Sequence, residues 1–231
     1  MGTMKFLHCL LALASCVSAQ STLPPELLAA MDVKWPKNHT INLVFHGHSV
    51  PSAYQKTPEV KTFESYPQLV FQGLKNKHPF AVMNCIVTAI GGEDSIAGAA
   101  RFEKDVLCHQ PDVIFIDYAL NDRRRPLGEV EAAWKSMIQQ AKQRKIPVVL
   151  ITPTGDSNAK LDDPADPLCK CAELIRKLAK QEDVPLADVF AAWQAEVEHG
   201  TPQTDLLSQP NHPNLRGNTL AAATVLALFG K

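Results

Sequence analysis

Four short apolar runs constrain this chain more than any other feature: INLVF at 41–45, AVMNCIVTA at 81–89, DVIFIDY at 112–118 and IPVVLIT at 146–152. They are dense in Val and Ile and do not alternate with polar residues. A strand with one wet face alternates, so unbroken runs describe strands covered on both faces, as in a parallel sheet. A fifth run, VPLADVF at 184–190, is of the same kind. Helical patterns separate the runs at 60–76, at 94–107, from Leu127 to Lys145, at about 167–182, and over NLRGNTLAAATVLALFG at 214–230. In the third of these, Val130, Trp134, Met137, Ile138 and Ala141 fall on one stripe. Strands alternating with helices of this length predict βαβ units, hence an α/β fold: a three-layer α/β/α sandwich on a parallel five-stranded sheet.

The chain has 231 residues, 45% of them hydrophobic and 20% charged, which suits one globular domain with a full core. A net charge of -1 gives no electrostatic reason to expect a nucleic-acid partner, because tracking phosphates needs a surplus of Lys and Arg. The first residues combine Lys5, an apolar stretch from Phe6 to Ala14, and small residues at Val17-Ser18-Ala19. That pattern predicts a signal peptide over 1–19 and a single domain over 20–231, exported to the periplasm or the extracellular medium. Leu13-Ala14-Ser15-Cys16 also resembles a bacterial lipobox, so the alternative processing leaves a lipid on Cys16 as the one membrane attachment. Outside the cytoplasm disulfides persist, and Cys85, Cys108, Cys169 and Cys171 allow three pairings that the sequence does not choose between. Cys169 and Cys171 lack zinc-site spacing, so no metal is expected.

Open α/β sheets bind their ligands at the carboxyl ends of the strands. The first run leads through Gly47 to Ser49, which is either the cap of a following helix or a nucleophile. The second is followed by Gly91 and Gly92, a turn that offers backbone N–H groups just before a helix. The third delivers Asn121, an amide donor, and SQPNHPNLRG sets His212 in a Pro-bounded loop before the last helix. A hydroxyl, an imidazole and N–H donors are together the set that acyl transfer requires. The polar loops at 152–166 and 200–213 are long enough to be functional.

In the order Ser49, Gly92, Asn121, His212, the chain resembles the SGNH hydrolases, also called GDSL esterases and lipases, from about residue 41 to 229. IGGEDSIAGAAR is similar to the second of that family's sequence blocks and HPNLRG to the fifth. The resemblance implies a flavodoxin-like sheet and a cofactor-free serine hydrolase. Ser49 would attack a carbonyl, the backbone N–H groups of Ser49 and Gly92 and the Asn121 amide would hold the oxyanion, and His212 would relay the proton.

Three residues depart from the family pattern. His48 replaces the usual Asp before the serine, Ala119 replaces a Gly, and Gln209 stands three residues before His212 where an aspartate is expected. Glutamine can accept an imidazole N–H bond but cannot offset an imidazolium charge, so the expected arrangement is a Ser-His dyad with a neutral or misplaced third member. Asp205 in the same loop as His212, and Glu93 or Asp94 beside Gly92, are the carboxylates that would replace the missing one if another carboxylate reaches the imidazole.

The substrate expected from the family is a small acyl ester, first of all an O-acetylated carbohydrate. Arg123, Arg124 and Arg125 follow Asn121 directly, so a guanidinium there either grips a substrate carboxylate or merely solvates a turn; Asp156 is a further candidate substrate contact. The competing readings are a lipid or aryl esterase and a sugar-binding surface protein that has lost catalysis.

Overall fold

The computed structural model describes residues 22–230, so the expected signal peptide and lipobox lie outside the described residues. The strands are β1 (Thr40–Gly47), β2 (Val82–Val87), β3 (Val113–Asp117), β4 (Val148–Ile151) and β5 (Leu186–Ala187), with a small hairpin of β6 (Leu207–Gln209) and β7 (His212–Pro213). The helices are α1 (Pro25–Ala30), α2 (Tyr66–Lys77), α3 (Ser95–Ala100), α4 (Phe102–Asp105), α5 (Ala119–Asp122), α6 (Leu127–Gln143), α7 (Pro167–Gln181), α8 (Val189–Glu198) and α9 (Leu215–Leu226). No helix among the described residues is long and apolar enough to cross a membrane.

The five strands form one parallel sheet in the order β2-β1-β3-β4-β5. Successive residues point to opposite faces, and both faces are covered. Leu43, Phe45, Phe115 and Val149 face one core cluster with Val70 and Leu74 of α2 and Ala221 and Val225 of α9. Val44, Ile114, Ile116 and Leu150 face the other, with the α6 stripe and Ile175 and Leu178 of α7. Phe45 and Phe115 stack at 4.3 Å across the neighbouring strands β1 and β3. The chain leaves β1 toward one edge and returns past it to β3, so the switch point of the sheet lies between the carboxyl ends of these two strands.

Several elements differ from the sequence expectation for local reasons. The helix expected at 60–76 starts only at Tyr66, because Pro67 fits the first turn of a helix but not its interior. The one expected at 94–107 breaks at Arg101 into α3 and α4, which sets the Arg101 guanidinium against Glu93. The fifth run forms a strand of two residues, since Asp188 accepts the Ala191 N–H and caps α8, a helix the apolar pattern concealed. The 200–213 loop contains the β6–β7 hairpin. β2 is an edge strand with Val82 50% exposed, not covered on both faces. All four cysteines among the described residues are free thiols, so none of the three pairings forms in this structure.

Gly98 of α3 exists for a close approach: a Cβ there would sit 2.4 Å from the Tyr118 ring. Gly98→Ala should therefore destabilise the fold by about 1–3 kcal/mol through overpacking, read as a lower urea midpoint with an unchanged m-value.

Candidate active site

β1 ends at Gly47, where a Cβ would lie 2.3 Å from the Asp117 carbonyl oxygen and 2.8 Å from Pro51 Cγ. Only glycine lets the two strands stay this close. Ser49 follows immediately, in a turn closed by Tyr54 N–H donating to the Ser49 carbonyl at 3.1 Å. No helix begins at Ser49, so it is not a helix cap. Its Oγ instead lies 2.8 Å from His212 Nε2, a contact between residues 163 apart in the chain, both almost buried. The hairpin β6–β7 brings the imidazole there.

His212 Nδ1 faces two groups. The Gln55 carbonyl oxygen is 2.9 Å away, and Gln209 Nε2 is 2.8 Å away. Gln209 Oε1 accepts the Thr57 N–H at 2.9 Å, a donor that requires the amide oxygen, so the amide turns its nitrogen to the ring. Gln209 thus occupies the missing aspartate's place without supplying an acceptor; the acceptor is a backbone carbonyl. With the proton on Nδ1 donated to Gln55, Nε2 is free to accept from Ser49, which is the state a general base needs. The other tautomer accepts from Gln209 and points Nε2–H at the nucleophile. The Gln209 amide favours that resting form and opposes the imidazolium.

None of the replacement carboxylates pairs with His212. Glu93 binds Arg101 through both oxygens and accepts the Tyr118 hydroxyl at 2.7 Å. Asp94 caps α3 and pairs with Arg125, and Asp205 accepts the Asn214 amide through its backbone carbonyl. Burial pushes the His212 pKa below its ordinary 6.5; the Gln55 carbonyl partly opposes this, and His48 adds to the lowering.

The donors converge from the other strands. Gly92 adopts φ +80°, a left-handed conformation that glycine accepts without strain. The backbone N–H groups of Ser49 and Gly92 donate to no partner among the described residues. Asn121 gives one amide hydrogen to the Glu93 carbonyl at 2.8 Å, which fixes the side chain and leaves its second hydrogen. Behind this loop the Glu93–Arg101–Tyr118 cluster continues to His46 Nε2, 3.1 Å from the Tyr118 hydroxyl; burial first, then Arg101, lowers the His46 pKa to about 4, so it stays neutral.

His48, the residue in place of the usual Asp, is buried under the nucleophile. Val50 N–H donates to its Nδ1, which puts the ring proton on Nε2, 3.3 Å from Asp117 Oδ1. The Tyr66 hydroxyl donates to the other Asp117 oxygen at 3.0 Å, and its pKa is raised well above 10.0 by burial and by that carboxylate. Ala119, in place of the family's Gly, is packed into the core beside the α6 stripe.

The basic run divides. Arg123 pairs with Asp156 at 2.6 Å, and the other Asp156 oxygen accepts from Asn158, so this carboxylate, 2% exposed, anchors its loop. Arg125 is held by Asp94, and Arg124 is exposed with no ion-pair partner among the described residues. No group of three or more His, Cys, Asp or Glu side chains among them could hold a metal ion.

An imidazole drawn onto a hydroxyl, with unused N–H donors on adjoining loops, is the set of groups that acyl transfer requires, and it sits on a parallel α/β sheet, which places the chain in the class of hydrolases. The class narrows on comparison. The model of the GDSL-like Lipase/Acylhydrolase family matches residues 45–220, and the chain belongs to that family, the SGNH hydrolases, enzymes acting on carboxylic ester bonds. A search of curated protein sequences returns no match.

Among solved structures, Axe2, an acetylxylan esterase from Geobacillus stearothermophilus, matches with a TM-score of 0.72 at 22% identity, over 83% of this chain and 94% of its own. A catalytic mutant of Axe2 reaches 0.73 at 21% identity over 87% and 97% of the two chains. A two-domain esterase active on acetylated mannans matches at 0.68 and 19% identity over 87% of this chain and 50% of its own. At these identities the likeness is one of fold.

Because the neutral imidazole is the base and its pKa is lowered, kcat/KM should hold below pH 6.5 and fall only at a more acidic midpoint. Gln209→Glu keeps an oxygen on Thr57 N–H and turns the second one to the ring. The midpoint should rise by about one unit, since a carboxylate favours the imidazolium, with turnover held or increased. An unmoved midpoint in a pH–rate profile would remove Gln209 from the imidazole's surroundings.

Proposed function

We propose that this protein is an exported serine esterase that removes acetyl groups from carbohydrate through a Ser49–His212 acyl-enzyme. The observation that carries the reading is the 2.8 Å contact between Ser49 Oγ and His212 Nε2 beside the unused donors of Ser49, Gly92 and Asn121. In the first half-reaction Ser49 Oγ bonds to the acetyl carbon while its proton passes to His212 Nε2. The oxyanion collapses, the carbon–oxygen bond to the sugar breaks, and the imidazolium returns the proton to the departing sugar oxygen. Water then repeats the sequence on the acyl-enzyme and releases acetate.

Carbohydrate as the leaving group is supported by the fold shared with an acetylxylan esterase and with an esterase active on acetylated mannans. Export is supported by the apolar segment after Lys5 and the small residues before Gln20. Of the basic run, only Arg124 is left to meet a substrate carboxylate. Arg124→Ala should therefore weaken turnover of acetylated uronates and spare neutral acetyl esters.

The direct test is an acetate-release screen over acetylated glycans. Ser49→Ala and His212→Ala should each abolish release with the fold intact by circular dichroism. Asn121→Ala should lower kcat by roughly 100- to 1,000-fold, the usual loss for one oxyanion donor. Release that survives in the purified Ser49→Ala protein would refute the assignment, and failure of a fluorophosphonate to label Ser49 would favour the sugar-binding reading.

A further inference from the structure

Five residues beyond the nucleophile, the Tyr54 side chain stands in the site without a role in the chemistry above. Its ring centroid lies 6.3 Å from that of His212 at a tilt of 38°. Its other side meets the oxyanion turn: a Cβ on Gly91 would be 3.1 Å from Tyr54 Cε2 and 3.6 Å from Cζ. Gly91, unlike Gly92, has no positive φ, so its backbone does not call for glycine. What calls for it is the tyrosine ring occupying the space where a side chain would go.

The backbone that carries the ring is tied down. Tyr54 N–H closes the turn onto Ser49, Tyr54 bridges Val60, and Lys61 N–H donates to the Ala53 carbonyl at 2.9 Å. The next residue, Gln55, supplies the carbonyl that holds His212. One tied loop therefore carries the nucleophile, the ring and the imidazole's acceptor.

We infer that Tyr54 is a specificity-determining residue, the wall that limits the acyl group to acetyl or little more; this rests on the acyl-ester reading of the site. Around the tetrahedral carbon, one substituent is the Ser49 oxygen, a second points to the donors, and a third, the leaving oxygen, meets His212. The fourth is the acyl chain. A polymeric leaving group must run out to solvent, so the closed side, where a ring spans from the oxyanion turn to the base, takes the acyl chain. Each methylene beyond acetyl then presses on a ring that the tied loop does not let retreat.

The test compares kcat/KM for p-nitrophenyl acetate, butyrate and hexanoate in the wild-type protein, Tyr54→Ala and Tyr54→Phe, with fluorophosphonate labelling of Ser49 as the check on folding. The wild type should prefer acetate to hexanoate by about tenfold or more. Tyr54→Ala should bring the esters near parity, chiefly by raising hexanoate turnover, and Tyr54→Phe should keep the wild-type ratio because the ring forms the wall. A Tyr54→Ala protein that labels normally yet keeps the wild-type ratio overturns the wall, as does a change confined to the KM for acetylated glycans. A wild type that releases no acetate from any glycan but shows the expected nitrophenyl ratios overturns the carbohydrate reading alone. A wild type that discriminates among none of the esters overturns the wall alone, and one that cleaves none of them overturns the acyl-ester reading and the wall with it.

Discussion

The site depends on how closely β1 and β3 approach at their carboxyl ends. With no Cβ on Gly47, the backbone lies against the Asp117 carbonyl, and His48 N–H donates to that same oxygen at 3.3 Å. This contact places Ser49 just past one strand end and Asn121 just past the other, so the hydroxyl and the amide inherit the rigidity of neighbouring strands. Positioning of this kind supplies a large part of the barrier reduction in acyl transfer. It also buries the Asp117 carboxylate, at 3% exposure. The Tyr66 hydroxyl donates to one of its oxygens, and His48 Nε2 lies 3.3 Å from the other without making a hydrogen bond. His48 in place of an acidic residue is thereby explained: a second carboxylate there would face Asp117 with like charge.

The His212 imidazole has unusual electrostatic surroundings. It is buried, its Nδ1 is met by a carbonyl and an amide NH2, and no carboxylate among the described residues pairs with it. The carbonyl dipole favours the productive tautomer while the Gln209 amide favours the other, and the carbonyl offers less to an imidazolium than a full negative charge. Burial lowers the imidazole's proton affinity, and the Gln55 carbonyl opposes this only in part. The amide of Gln209, held by Thr57 N–H, couples the ring to the loop that begins at Ser49.

Much of this was legible in the chain itself. Unbroken Val and Ile runs specified a parallel sheet because a strand covered on both faces has no place for polar alternation. The α6 stripe, with Trp134 and Met137, is wholly buried as its 3.6-residue period requires. The two glycines, the amide and the histidine stood at strand ends or before a helix, where short-range pattern and general topology suffice to notice them. α8 was not legible: its N-terminal residues continue an apolar run, and the cap by Asp188 that ends the strand is visible only once Ala191 N–H is seen to use it.

What the sequence determined alone was therefore the layer architecture and which polar residue types stand at the strand ends, because these follow from periodicity and from residue type. Only the tertiary structure decided what the imidazole leans on and what encloses the site. Every residue carries a carbonyl, so nothing in the letters marks Gln55 as the acceptor for His212, 157 positions away. Equally, Gln209 reads as an acceptor or a donor according to which of its two amide atoms a distant backbone N–H claims. The division of the arginines is of the same kind: Arg123 is engaged and Arg124 free because Asp156 is folded against one and not the other. Long-range contacts settle such choices, since they depend on which parts of the chain the packed core brings within hydrogen-bonding distance.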